Sequence, residues 1–175
     1  TGSCDEISVV GHSMGGLFAL LLSTECAVAG VVTLAAPVFV AEERGLRFLP
    51  PREVCADQFV PKARRRLVGV PPAANKTYRK MPLLGIHELV DVIEITKGCI
   101  SQVTAPLLVM HSRDDHTADP KSADYIYRHV SSRVKSIFWL EHSGHLLPLA
   151  ADREKVFEQA AVFLLSPARL DAQGN

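Results

Sequence analysis

A serine between glycines near the start of the sequence has the type and spacing of a nucleophile. Residues 11–16 read Gly-His-Ser-Met-Gly-Gly, a G-x-S-x-G pattern centred on Ser13. Residues 7–10 before it predict a strand, and the apolar, helix-forming residues 17–22 after it predict a helix. Glycines two residues on either side would permit a strained turn, where larger side chains would collide. We therefore predict Ser13 as nucleophile, with the backbone N–H of Met14 placed to stabilise an oxyanion.

A serine hydroxyl is a weak nucleophile unless a histidine accepts its proton and a carboxylate orients that histidine. In sites built on a G-x-S-x-G turn, the acid follows the serine along the chain and the histidine comes last. The loop after the predicted strand 106–110 offers Asp114, Asp115 and Asp119. Asp119 is explained as the cap of a helix whose first residue is Pro120. Of the adjacent pair we favour Asp115 as the orienting acid, with Asp114 as a solvated loop residue or a neighbour of the site.

Two histidines compete for the role of base, and both lie in the loop 141–149 after the last predicted strand. His145 follows Gly144 and precedes Leu146, which combines a flexible approach with an apolar wall. We favour His145 as the base and interpret His142 as a surface residue.

Other residues are weaker candidates for contact with a substrate. His12, Phe39 and Leu146 are predicted as substrate-binding residues, although for His12 a packing or hydrogen-bonding role is the preferred alternative. Met14, Phe39 and Leu146 fit equally well as parts of an ordinary core. Residues 62–80 hold seven basic residues and no acid, which favours a solvated surface over a binding site for an anionic substrate.

Neither a metal nor a cofactor is predicted. The cysteines are far apart, with no CxxC pair and no Cys/His ligand spacing, so the sequence does not support a zinc site. We interpret all of them as reduced thiols; they are Cys4, Cys26, Cys55 and Cys99.

The order of strand and helix patterns predicts an α/β fold with a parallel sheet and helices on both of its faces. Besides residues 7–10, the predicted strands are 30–34, 106–110 and 134–140, and the predicted later helices are 87–95, 121–130 and 152–165. In the last helix we expect one apolar face, formed by Val156, Phe157, Ala160, Ala161 and Leu164. The proline-broken stretch between the second and third strands predicts an inserted segment. The expected divisions are residues 1–40, 41–104 and 105–175.

The amino-acid composition indicates which kinds of protein this chain can be. The chain has 175 residues, 47% of them hydrophobic and 22% charged, which is typical of one folded domain rather than a disordered chain. Lys plus Arg and Asp plus Glu both number 19, so the net charge favours neither a nucleic-acid nor a membrane-surface partner. The most apolar stretch, residues 28–41, is too short and interrupted for a membrane span. The first residues do not resemble a signal peptide, and we predict a cytoplasmic location.

Three motifs together resemble the α/β-hydrolase superfamily: residues 11–16, the Asp115 loop followed by Pro120, and Glu-His-Ser-Gly-His at 141–145. Within the superfamily the sequence is similar to the bacterial carboxylesterases that resemble monoacylglycerol lipases. The resemblance implies an α/β-hydrolase fold in which residues 41–104 stand where the family has its cap. It also implies hydrolysis of short to medium acyl esters or monoacylglycerols through an acyl-serine intermediate.

The sequence departs from the family pattern before Ile7. The family has about four strands ahead of the nucleophile strand, and a loop among them carries a second oxyanion donor. We expect the chain to correspond to the later part of a hydrolase, with an exposed sheet edge that promotes self-association. Two alternatives to an esterase therefore stay open. One is a catalytically impaired binding module, and the other is an acyltransferase or thioesterase that uses the same residues.

Overall fold

The protein is described by a computed structural model that covers residues 6–62 and 78–166. Its strands are β1 Ser8–His12, β2 Gly30–Leu34, β3 Phe59–Pro61, β4 Lys80–Pro82, β5 Leu107–Ser112 and β6 Lys135–Leu140. Its α-helices are α1 Met14–Glu25, α2 Leu83–Cys99, α3 Lys121–His129 and α4 Arg153–Leu165. Short 3-10 turns occur at Glu42–Arg44, Leu46–Phe48, Arg52–Val54, Ile100–Gln102 and Leu147–Leu149.

Four strands form one parallel sheet in the order β1-β2-β5-β6. The inner strands β2 and β5 are buried along their whole length, as their continuous apolar sequences predict. The pairing places Val32 between Val10 of β1 and Leu108 of β5. Strand β1 therefore lies at one edge of the described sheet. The strand predicted at 7–10 occupies residues 8–12, so it extends up to the residue before Ser13.

Side chains of the inner strands alternate between two apolar clusters, one on each face of the sheet. On one face, Val31 and Val109 pack with residues of α1, α2 and α3, among them Leu20, Ile93 and Ile126. On the other face, the cluster contains Val32, Leu34, Leu108, Met110 and Val156 of α4. The predicted parallel sheet with helices on both faces is confirmed.

The segment between β2 and β5 is irregular at first and helical at its end. Strands β3 and β4 pair antiparallel, and α2 follows β4 directly. Helix α2 is longer than the predicted helix 87–95, and its Ile93 belongs to the main apolar cluster together with Leu17 of α1. Four of the seven basic residues at 62–80, namely Arg64, Arg65, Arg66 and Lys76, lie outside the described residues. The division into 1–40, 41–104 and 105–175 stays a prediction.

Two details of the later helices test the predicted patterns. The Asp119 carboxylate accepts the N–H of Lys121 at 2.9 Å, and Pro120 already has helical φ and ψ angles, which is consistent with capping by Asp119. In α4 the predicted apolar face is wrong for Phe157, which is 49% exposed, and for Ala161. The buried side is instead formed by Val156 with Ala160, Phe163 and Leu164, because the i, i+4, i+7, i+8 positions face the sheet.

The described cysteines are free thiols. Cys26 is exposed, Cys55 is buried and Cys99 is partly buried, while Cys4 lies outside the described residues. In the same part of the chain, no helix combines the length and apolar character that crossing a bilayer requires.

Candidate active site

Ser13 occupies a sharp turn between a strand and a helix. It is the only residue between β1 and α1, and it has φ 55° and ψ −126°. Positive φ is uncommon for a residue with a side chain, and it persists where the surroundings hold it. Here the N–H of Ser13 donates to the carbonyl of Leu34 at 2.8 Å, and the Ser13 carbonyl accepts the N–H of Gly16 at 2.8 Å. These bonds keep the turn at the carboxyl end of the sheet.

The glycines around the turn do not all have the same role. A Cβ added at Gly11 would lie 2.1 Å from the carbonyl oxygen of Gly15, so no larger residue fits there. At Gly15 itself, an added Cβ would meet no described atom within 4 Å, so the predicted collision on that side is wrong. The second close approach is at Gly16, whose added Cβ would lie 2.8 Å from Cβ of Ala36. In the sequence, the adjacent pair Gly15-Gly16 is the feature that could have indicated this second close approach.

Three of the residues predicted from the sequence meet at this end of the sheet. The imidazole of His145 lies with Nε2 2.9 Å from Ser13 Oγ and Nδ1 2.8 Å from Asp115 Oδ2. A carboxylate only accepts hydrogen bonds, so Nδ1 carries the proton that is shared with Asp115. The lone pair of Nε2 is then free to accept the hydroxyl proton of Ser13. The loops that follow β1, β5 and β6 supply the three side chains.

Asp115 is buried and held by several donors. Its Oδ1 accepts the backbone N–H groups of Thr117 at 2.7 Å and Ala118 at 3.0 Å. Its Oδ2 faces His145 and also lies 3.4 Å from Nε2 of His111. Burial by itself raises the pKa of Asp115, but hydrogen bonds from His111, His145 and Thr117 outweigh it and hold this pKa well below its usual range. The group is therefore a carboxylate.

The contacts of His111, Thr117 and Ala118 with Asp115 were not predicted from the sequence. A usable signal existed for the two N–H donors, since aspartate side chains often bond backbone groups two residues further along. For His111 the sequence held no comparable signal, because its contact depends on how β5 leads into the loop.

Asp114 and His142, the neighbouring alternatives, are placed differently. Both side chains are exposed, and they pair with each other, with His142 Nδ1 3.2 Å from Asp114 Oδ2. The structure thus joins Asp115 and His145 to Ser13 and leaves the other acid and histidine on the outer surface of the same two loops.

The loop that carries His145 is attached to neighbouring elements at two points. Ser143 donates its hydroxyl to Asp152 at 3.0 Å, and Gly144 takes a left-handed conformation with φ 62°. Nε2 of His12 donates to the backbone carbonyl of His145 at 2.9 Å, and the two rings are 5.2 Å apart. Burial lowers the pKa of His12 by more than this hydrogen bond raises it. In the structure His12 therefore has the hydrogen-bonding position that the sequence favoured.

The sequence of this chain matches a known protein family. The family described as Serine aminopeptidase, S33 (Hydrolase_4) matches residues 2–152. The chain belongs to this family. The match includes Ser13, Asp115 and His145, and it extends over both halves of the sheet and the segment between them.

Two curated relatives are similar in sequence to most of this chain. A carboxylesterase of Bacillus subtilis (strain 168) is 28% identical over 166 residues, which make up 91% of this chain and 64% of the relative. A thermostable monoacylglycerol lipase of Bacillus sp. (strain H-257) is 28% identical over 170 residues, with 94% and 65% covered. The chain thus spans just under two thirds of the length of these curated relatives.

Solved structures show the fold. The structure of a metagenome-derived lipolytic enzyme superimposes with a TM-score of 0.80 at 24% identity, over 92% of this chain and 65% of that one. The four-stranded parallel sheet with its helices is therefore the corresponding part of an α/β-hydrolase fold.

The remaining site candidates of this Hydrolase_4 chain lie around the turn and the adjoining loops. Met14 is the first residue of α1, and the N–H groups of a first helical turn have no acceptor within the helix. Phe39 packs edge-on against Tyr125 at 5.3 Å, with the Lys97 ammonium 5.0 Å from its ring. Leu146 is partly buried next to His145. The structure assigns no ligand to these residues, so their role in substrate binding stays a prediction.

A depression of about 580 Å³ lies at the other end of the sheet. Residues that line it include Ile7, Ala29 and Pro106, which precede strands β1, β2 and β5. Ser13, Asp115 and His145 all follow strands, so this depression is separate from their site. Within residues 6–62 and 78–166, no group of three or more His, Cys, Asp or Glu side chains is placed to hold a metal ion.

Proposed function

We propose that this chain is the catalytic part of a serine hydrolase that cleaves carboxylic esters. The observation that carries the proposal is the continuous line of contacts from Ser13 Oγ through His145 to Asp115, at 2.9 and 2.8 Å. Nucleophile, base and orienting acid are within hydrogen-bond reach of one another. The names of the two Bacillus relatives, a carboxylesterase and a monoacylglycerol lipase, support an ester as the substrate.

In the first half-reaction Ser13 becomes acylated. Oγ attacks the ester carbonyl carbon while its proton passes to Nε2 of His145. The tetrahedral oxyanion then collapses, the bond to the alkoxy oxygen breaks, and the proton moves from Nε2 to the leaving alcohol. In the second half-reaction water attacks the acyl carbon and gives a proton to Nε2 of His145. The tetrahedral intermediate then collapses, the bond between the acyl carbon and Ser13 Oγ breaks, and Nε2 returns the proton to Oγ as the acid leaves.

Two further groups stabilise charge during these steps. Met14 is the first residue of α1, and in this proposal its backbone N–H donates to the developing oxyanion. The Asp115 carboxylate fixes the Nδ1–H tautomer of His145 and stabilises the imidazolium that forms transiently. Each group acts most strongly in the transition state, which is the requirement for a rate increase.

The substrates we propose are short to medium acyl esters or monoacylglycerols. The exposed side chains of Met14 and Phe39 and the partly exposed Leu146 offer apolar surface for an acyl chain. A thioesterase or acyltransferase would use the same three residues with another leaving group or acceptor. The apolar side chains exposed at β1 support one competing function, that of a binding module.

Labelling with a fluorophosphonate separates a hydrolase from a binding module. An activated Ser13 attacks phosphorus and displaces fluoride, so the wild-type chain should be labelled at Ser13 alone. Ser13→Ala should abolish both labelling and hydrolysis of a short-chain p-nitrophenyl ester. Ser23→Ala is the matched control, because Ser23 lies in α1, the helix that follows Ser13, and its hydroxyl donates to the carbonyl of Leu20. Equal labelling of the Ser13→Ala chain would disprove the assignment.

A further inference from the structure

A buried histidine beside Asp115 takes no part in the steps described above. His111 is the fifth residue of β5, four positions before Asp115, and its side chain is 0% exposed. Its ring lies beside Trp139, the residue paired with it on β6, with the ring centroids 6.2 Å apart. A polar ring enclosed in this way carries a desolvation cost unless its nitrogen atoms find partners.

The surroundings of the ring identify which nitrogen carries the proton. Nε2 of His111 lies 3.2 Å from the carbonyl oxygen of Ala118 and 3.4 Å from Asp115 Oδ2. Both neighbours only accept hydrogen bonds, so Nε2 must be the donor. Nδ1 has no hydrogen-bond partner among the described residues. A second proton on Nδ1 would be buried without an acceptor, which favours the neutral imidazole with its proton on Nε2.

We propose that His111 is a positioning residue for Asp115. Its Nε2–H, shared between the Ala118 carbonyl and Asp115 Oδ2, holds that oxygen in line with Nδ1 of His145. This inference rests on the proposed function, because it assigns a purpose to the orientation of Asp115. His111 itself contacts neither Ser13 nor the reacting ester.

The arrangement of donors around Asp115 explains why such a contact matters. The two backbone N–H groups of Thr117 and Ala118 both bind Oδ1, so they anchor one oxygen only. The other oxygen, Oδ2, has two neighbours: His145, whose protonation changes during the reaction, and His111, which is fully buried in β5. Without His111 the carboxylate keeps its place in the loop but loses the fixed donor on the side of the catalytic histidine.

A pair of substitutions separates positioning from simple filling of the core. His111→Leu fills the space without a donor, whereas His111→Gln keeps an N–H close to the position of Nε2. Loss of one hydrogen bond should lower kcat and the fluorophosphonate labelling rate by about 2- to 12-fold in His111→Leu, with KM unchanged. His111→Gln should recover most of that loss. A pure packing role predicts the reverse order, since Leu suits an apolar enclosure better than Gln.

The matched control is Thr33→Val. Thr33 is equally buried in the neighbouring strand β2, and its hydroxyl has no partner among the described residues. This change removes a buried polar atom but no contact to Asp115, so labelling and turnover should equal those of the wild-type chain. Circular dichroism of each variant shows whether it is folded.

Nitrogen-15 NMR of labelled histidines tests the contact without any turnover. At pH 7 the wild-type spectrum should show His111 protonated on Nε2. The low-field proton signal of His145 Nδ1–H should shift in His111→Leu and return in His111→Gln. A His111 protonated on Nδ1, or an unchanged His145 signal in folded His111→Leu, would overturn the inference.

Labelling rates test the positioning role independently of the NMR signals. Folded His111→Leu that is labelled as fast as the wild-type chain would overturn that role. A wild-type chain that is not labelled at Ser13 would overturn the proposed function instead, and the NMR signals would still decide whether His111 holds Asp115 in place. The two failures are therefore distinguishable.

Discussion

Asp114 and Asp115 have the same side chain and adjacent positions, yet the structure gives them opposite surroundings. Asp115 is buried among N–H donors and faces His145, whereas Asp114 is exposed and pairs with His142. A carboxylate orients an imidazole only where it is desolvated and held in a fixed direction. The difference between the two residues is thus one of environment rather than of chemistry.

Exchange of each acid for its amide tests this difference. Asp115→Asn should lower kcat/KM for an ester by about 10⁴, because the amide favours the wrong tautomer of His145. Asp114→Asn removes only an exposed pair, which contributes little, so its rate should stay within about 2-fold of wild type. Steady-state kinetics of the two purified variants measure both effects. A larger loss in Asp114→Asn would move the orienting role to Asp114.

At the scale of elements, the turn from β1 to α1 limits which residue types can stand at its positions. Ser13 has a positive φ, and the backbone of β1 at Gly11 passes directly beside the start of α1 at Gly15. The glycine at position 11 is required by this close approach, while the glycine at position 15 is not. The same motif therefore contains positions with very different tolerance.

Alanine substitutions at the two glycines should separate these roles. In Gly11→Ala the new Cβ meets the Gly15 carbonyl, so we expect a loss of about 1–3 kcal/mol in the free energy of unfolding. Displacement of Ser13 should also slow fluorophosphonate labelling by about 100-fold. Gly15→Ala should retain the labelling rate and gain about 0.5–1 kcal/mol from helix propensity. Urea denaturation measures the stabilities, and equal tolerance at both positions would contradict the geometry.

At the scale of the whole molecule, β1 is the outermost strand of the described sheet and pairs with β2 alone. One large apolar side chain is exposed on β1 itself and another on α1, with Val10 50% and Phe18 49% accessible. An edge strand with exposed apolar neighbours can pair with another chain. This arrangement is the reason for the following prediction.

We expect the 175-residue chain to self-associate through this edge. Sedimentation velocity should show oligomers whose fraction rises with protein concentration. The double substitution Val10→Lys and Phe18→Glu should shift the chain towards monomer, because a charge on the edge strand opposes pairing and a charge on α1 removes exposed apolar surface. Phe157→Glu is the control, since Phe157 is equally exposed but lies on α4. A wild-type chain that is monomeric at all concentrations would contradict this prediction.

Features that depend on neighbouring residues could be predicted from the amino-acid sequence. Buried parallel strands have continuous apolar runs, which placed β2 and β5 correctly. The G-x-S-x-G run predicted the turn at Ser13, and the residues at 119–120 predicted the start of α3. Each of these signals lies within a few residues, so local conformational preferences are sufficient to produce it.

Contacts between segments that are distant in the chain could be seen only in the tertiary structure. The His145 ring lies beside Ser13 and Asp115 only because parallel pairing brings the carboxyl ends of β1, β5 and β6 to the same end of the sheet. The same packing buried His111 against Asp115 and brought Nε2 of His12 within 2.9 Å of the His145 carbonyl oxygen. No local pattern encodes these contacts, because each is set by the register and spacing of elements that meet only in the folded chain.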